Sequence, residues 1–180
     1  EGLGYANSNM GRLYYEGYND PEQAIEYFQS ALEKFELVWD SNRRNNDYAY
    51  SVANIHAWLA DANYRKANYQ AALNARKRQK SIFDGIVTKE PSDRRTLGFF
   101  AGSGNEIARY NALLNDYYDQ DNFDMAIKLA ESNHAFDPDN EKWLSFLVTI
   151  LLDYANLSMI YDRLDLASPA LGRASALLND

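Results

Sequence analysis

The sequence predicts an all-α fold of eight helices, arranged as about four antiparallel pairs stacked into an α-α superhelix. Three observations carry this. Pro is scarce at 4 and Gly modest at 9 in 180 residues, while Ala, Leu, Glu and Gln recur in runs that favour long helices. No segment holds the period-two alternation of a half-buried strand. A helix-turn-helix pattern also recurs, with equivalent alanines at Ala24, Ala72, Ala126 and Ala170 standing 48, 54 and 44 residues apart.

Caps and breakers place each element. The first helix is expected over residues 3–17. Asn19 and Asp20 before Pro21 open the second, 21–42, with Pro in the first turn and Glu22 complementing the helix dipole. The third and fourth are expected over 47–66 and 69–88. Pro91-Ser92-Asp93 opens the fifth, 93–119, and the sixth covers 123–135. Asp137-Pro138-Asp139 ends that helix and caps the seventh, 140–163; the eighth covers 167–178. Together they are expected to form one domain over 1–180, in pairs at approximately 3–44, 47–90, 93–138 and 139–180.

The third pair is the cleanest. Leu113, Tyr117, Ala126 and Pro138 stand at offsets of four, thirteen and then twelve residues, across the turn Asp119-Gln120-Asp121-Asn122-Phe123-Asp124. The first pair runs through Met10-Gly11, Tyr14, Ala24, Phe28 and Ala31, with one extra turn residue. The second runs through Leu59-Ala60 and Ala71-Ala72, and the fourth through Leu157-Ser158, Tyr161 and Ala170. In this pattern the chain resembles the tetratricopeptide repeat (TPR) family, in its elongated form with units of more than forty residues. Leu114, Asn63, Arg76 and Ala174 depart from the family's small or aromatic residues.

The resemblance implies a non-catalytic scaffold for protein-protein interaction, an adaptor that binds a protein or peptide in a concave groove lined by the first helix of each pair. The family's contact positions map to Arg12 and Tyr15, to Asp61, Tyr64 and Arg65, and to Asn111, Asn115 and Tyr118. Tyr15, Tyr64 and Tyr118 would then form an aromatic ladder with polar neighbours. Ala57 and Asp61 occupy the places where the family's carboxylate clamp has Lys and Asn, so that subfamily is not implied. The alternative is a regulatory sensor whose groove holds a small molecule or peptide and controls a fused effector; a third is a rigid spacer.

Charge and composition narrow the classes further. The net charge of −8 argues against nonspecific nucleic-acid binding. Basic residues nevertheless concentrate in the second quarter, where Arg76, Lys77, Arg78 and Lys80 form a patch suited to an acidic or phosphorylated partner, with a solvated charged face as the plainer reading. With no Cys there is no thiol chemistry, and the compartment stays open. The start at Glu1, without Met, is expected of a piece of a longer protein.

Catalytic and metal sites are not expected, nor is a cofactor. His56 and His134 are too far apart for a helical zinc pair. The Asp119–Asp124 stretch lacks the Gly and Glu of a calcium loop, and is expected to be a solvated acidic turn. Gly98, Gly102 and Gly104 lack the strand and Lys of a phosphate loop; Gly98 and Gly102, four apart, suit close helix packing. Trp143 to Ile160 is apolar, but Asp153 within it favours a buried helix over membrane insertion. Leu171, Ala174, Leu177 and Leu178 leave an apolar C-terminal edge for further repeats or a homodimer.

Overall fold

The computed structural model describes residues 2–115 and 117–179, with Asn115 described in its backbone alone. No strand occurs among the described residues, and eight α-helices pack in consecutive pairs. The chain divides into two compact units, Glu1–Lys89 and Glu90–Asp180.

In the first unit, α1 (Gly2–Arg12) continues through a π-helical segment, Leu13–Gly17, before α2 (Pro21–Ser41), α3 (Asn46–Arg65) and α4 (Tyr69–Val87). The π segment accounts for the extra turn residue. Leu59 to Ala72 spans thirteen residues, whereas Met10 to Ala24 spans fourteen, and the surplus is taken up where Tyr18 N–H reaches back five residues to the Leu13 carbonyl at 3.1 Å. The first helix thus keeps its apolar face in register with α2.

The turn that follows is closed in the same way in both pairs. Asn19 and Ala67 take left-handed φ values of 53° and 58°. The next residue, Asp20 or Asn68, then donates its N–H back to the carbonyl of Tyr14 or Asn63, at 2.9 Å in each case. Asp20 caps α2 as expected, accepting from Gln23 N–H at 3.0 Å, with Pro21 as its first residue.

Small residues set the spacing between helices. Ala24, Ala31, Ala53, Ala60 and Ala72 are wholly buried, and so are the rings of Phe28 and Phe83 that fill the gaps between them. At Gly11 the contact is closest: a Cβ there would lie 2.5 Å from Phe28 Cε1. Tyr14 stacks on Tyr27, with centroids 5.3 Å apart, and Phe28 stacks on Trp58 at 5.9 Å.

The second unit comprises α5 (Arg94–Asn115), α6 (Gln120–Phe136), α7 (Glu141–Ile160) and α8 (Leu164–Asn179). Its helices meet at the expected glycines. A Cβ on Gly98 would come within 2.7 Å of Trp143 Cζ3, and one on Gly102 within 3.5 Å of Phe146 Cε2. The apolar interior gathers Phe123, Leu147, Ile150, Leu151 and a row of alanines from Ala101 to Ala174.

Two boundaries differ from expectation, and caps explain both. α5 ends at Asn115 and α6 begins at Gln120 because Asp119 is the cap of α6, accepting from Asn122 N–H at 3.2 Å. α8 begins at Leu164 because Asp162 takes a left-handed φ of 55° and closes the turn, with Arg163 N–H donating to the Ser158 carbonyl at 2.7 Å. Pro169 therefore lies inside α8 rather than in its first turn.

α7 is long and apolar enough to cross a membrane, although in the structure it packs against α5, α6 and α8. Its Asp153 accepts a 2.8 Å hydrogen bond from the Asn105 side chain. On the C-terminal edge Ala174 is buried, whereas Leu171 and Leu178 are exposed, as are Ile160 and Leu164.

The close approaches and the left-handed turns predict shifts of opposite sign. Gly11→Ala should destabilise the protein by about 1–3 kcal/mol through overpacking against Phe28. Ala67→Gly should stabilise it by about 1 kcal/mol by relieving a left-handed residue that carries a Cβ. Urea denaturation of both variants checks the pair; a stabilising Gly11→Ala would contradict the packing described.

Candidate interaction surfaces

Of the expected groove residues of the first unit, Arg12, Tyr15 and Arg65 come together around one aromatic pair. Tyr15 lies in the π segment and Trp58 on α3, with ring centroids 5.7 Å apart in an edge contact. The Arg65 guanidinium sits 3.7 Å from the Tyr15 centroid and donates to the Tyr15 carbonyl at 2.6 Å and to Asn19 Oδ1 at 3.0 Å. Arg12 lies over the Trp58 ring at 5.4 Å and pairs with Glu16 at 3.4 Å. Tyr64, exposed, packs its ring 5.4 Å from that of Tyr69. Burial raises the Tyr15 pKa above the usual tyrosine range, and Asp61 adds to the effect while Arg65 opposes it.

Asp61 and Arg76, assigned by sequence to different sites, form an ion pair with each other, and Arg76 also donates to Gln79 Oε1 at 2.9 Å. With its side chain 11% exposed, Arg76 is a bridge between α3 and α4 rather than part of an open basic patch. Lys77 and Arg78 are exposed, and Lys80 is half-buried.

In the second unit the expected groove positions turn inward. Asn111 is buried and donates to Asp119 Oδ2 at 2.6 Å, and the Asn122 side chain donates to the same oxygen at 2.8 Å. Asp119, 5% exposed, therefore anchors a buried network, a correction to the solvated acidic turn expected there. Tyr118 lies in the turn after α5, half-buried among Phe123, Tyr154 and Tyr161. Its hydroxyl donates to Ser158 Oγ at 2.6 Å, since Ser158 itself donates to the Tyr154 carbonyl. Burial pushes its pKa upward despite that bond. Tyr118 is thus engaged within the second unit, with its ring half-buried and its hydroxyl bonded to Ser158. The Asn115 side chain lies outside the described residues.

Sequence reasoning missed Trp58, Trp39 and the pocket between α5 and α7. That pocket has a volume of about 230 Å³, an apolar floor of Gly98, Phe99, Trp143 and Phe146, and Arg95 and Lys142 at its sides. Recurrent Tyr positions drew attention to the ladder; a lone Trp at each of these places gives no periodic signal.

His56 is buried on α3, and its Nε2 has no hydrogen-bond partner among the described residues. Burial, with the Arg78 charge acting in the same direction, lowers its pKa from 6.5 to about 4. The folded form therefore refuses a proton that the unfolded chain accepts below pH 6.5. Stability is full above that pH and falls as the pH drops toward 4. Between pH 7 and 4.5, His56→Leu should remove about 2 kcal/mol of the wild-type loss, measured by urea denaturation at both pH values; equal losses would contradict a neutral buried His56.

Compared with protein-family models and with curated proteins, the sequence finds no match in either.

Proposed function

We propose that the protein is a non-catalytic interaction scaffold of the tetratricopeptide type, its helix pairs stacked as a solenoid, that binds a protein or peptide on the face of α1 and α3. The observation that carries this reading is the Arg12, Tyr15, Trp58 and Arg65 cluster. Tyr, Trp and Arg supply most of the binding energy in protein interfaces, because each offers a large contact area together with a hydrogen-bonding group. Here the Arg65 guanidinium is already in place, set over the Tyr15 ring and hydrogen-bonded to the Tyr15 carbonyl and to Asn19 Oδ1, so little side-chain freedom remains to be lost on binding. Arg12 is exposed in the cluster, and Tyr64, which precedes Arg65 on α3, is exposed as well.

The pocket between α5 and α7 favours a second reading, a sensor of a small amphipathic anion, since an apolar floor beside two cations suits that chemistry.

Affinity capture from a lysate with the full chain tests the first reading. Arg12→Ala, Tyr64→Ala and Arg65→Ala together should weaken a captured partner at least a hundredfold, while Tyr117→Ala, at an exposed position in the second unit, should leave it unchanged. Undiminished capture by the triple variant would sink the proposal for this face. Loss with Lys142→Glu alone would move the site to the second unit.

A further inference from the structure

At the opposite end of α3 from the aromatic cluster lies a cleft that takes only Arg78 from the expected basic patch and joins it to residues the sequence pattern does not mark. It has a volume of about 200 Å³ and lies between the last turn of α2, the first turns of α3 and the C-terminal half of α4. Three cations line it: Arg43 from the α2-α3 turn, Arg78 from α4, and Lys89 just beyond α4. None of the described residues lining it is acidic. The remaining wall includes Trp39, Ser81 and Gly85.

The concentration of charge is local. The unit Glu1–Lys89 carries 11 basic and 11 acidic residues, so its net charge is zero; Glu90–Asp180 carries 7 and 15, and holds the whole net charge of −8. Within a neutral unit, three cations share one small concavity, where low-dielectric walls strengthen their common field. Arg43 does pair with Asp40 on α2, and its guanidinium lies 4.0 Å from the Trp39 ring centroid. Even so, the Arg78 charge is felt at buried His56.

Donors are present as well as charge. Ser81 brings a hydroxyl. Asn46, the first residue of α3, sets the positive end of that helix dipole at the cleft. At Gly85 a Cβ would meet nothing within 4 Å, so the floor of the cleft is open there.

We infer that this cleft binds a phosphate monoester, a tetrahedral dianion carried on a short carbon stem, with Arg43, Arg78 and Lys89 as its charge partners. Three cations are matched by a dianion better than by a single carboxylate, and arginine forks suit phosphate oxygens. The volume exceeds that of a bare phosphate, and Ile82 and Ile86 give the remaining space an apolar lining for the stem. Asn46 stands twelve residues from Trp58 along α3, about 18 Å. The inference therefore does not depend on the function proposed for the aromatic face.

The test uses the full chain titrated with a short neutral peptide carrying phosphoserine, its unphosphorylated form, a glutamate form, and inorganic phosphate, all at matched ionic strength. Binding is read by tryptophan fluorescence and by the shift in melting temperature. Saturable binding of the phosphopeptide is expected, at least tenfold tighter than the glutamate form and tighter than inorganic phosphate. Arg78→Ala should weaken it about tenfold. Gly85→Glu, which places a carboxylate in the open floor, should abolish it, whereas Gly85→Ala should retain it. Circular dichroism melts establish that each variant is folded. The assignment is overturned by phosphopeptide binding that Arg78→Ala and Gly85→Glu leave intact, by equal affinity for the glutamate form or for inorganic phosphate, or by no saturable binding at millimolar concentrations.

Discussion

Ala24, Ala31, Ala53, Ala60 and Ala72 are wholly buried in the first unit, and Ala101, Ala108, Ala126, Ala130 and Ala155 are wholly buried in the second. An all-helical chain of this length has no sheet against which to close its core, so the separation of helix axes decides how much surface it can bury. Where one helix presents Ala or Gly, the next approaches until a large side chain fills the space: Phe28 against Gly11, Trp143 against Gly98. Packing density then fixes the rotation of each helix about its axis, because a turn of 100° would put a bulky residue at the point of closest approach. The π segment at Leu13–Gly17 follows from this constraint. One surplus residue between Met10 and Ala24 would rotate α1 out of register, and widening a single turn absorbs it at lower cost than losing the Gly11 contact.

Such a constraint is written in sequence wherever it recurs, which is why the helices were legible. Asp20 with Pro21, and the thirteen-residue step from Leu59 to Ala72 and from Leu113 to Ala126, are local signals with local causes, and all eight helices lie close to their expected ranges. The misplaced boundaries fall where a cap could be read in two ways. Ser168 before Pro169 has the form of a helix start, but the hydrogen-bonded turn at Asp162 begins the helix a turn earlier. Asp119 looked like one acid among several in a polar turn; only the fold brings Asn111 to it from α5, eight residues back, and buries both.

The candidate sites were less legible because side-chain pairing is not periodic. Asp61 and Arg76 stand fifteen residues apart on successive helices, and each looks available until α3 and α4 are brought together. Their pairing takes one residue from the expected groove and one from the expected basic patch, whereas Arg12, Tyr15 and Arg65 stay at the surface around Trp58, which no repeat position marks. Tyr118 shows the same limit from the other side. It shares its repeat position with Tyr15 and Tyr64, yet α5 ends before it, so the residue leaves the helix and turns inward onto Ser158. Equivalent positions in sequence stay equivalent in space only while the helices that carry them have equal length.

Helix α3 shows how such a fold separates two kinds of surface along one rigid element. Its N-terminal turn lies against Arg43, Arg78 and Lys89, while near its C-terminal end Trp58 and Arg65 meet Tyr15. Between them it is almost wholly buried: Val52, Ala53, Ile55, His56, Leu59 and Ala60 leave hardly any side chain for solvent on the packed face. A buried midsection of this kind holds both ends at fixed separation and orientation, because moving one relative to the other would require breaking the contacts with α2 and α4. His56 sits in that midsection as a neutral imidazole, with the Arg78 charge close enough to oppose its protonation. The packing fixes the backbone positions from which Arg43, Arg78 and Lys89 extend, so the three side chains stay within reach of one cleft.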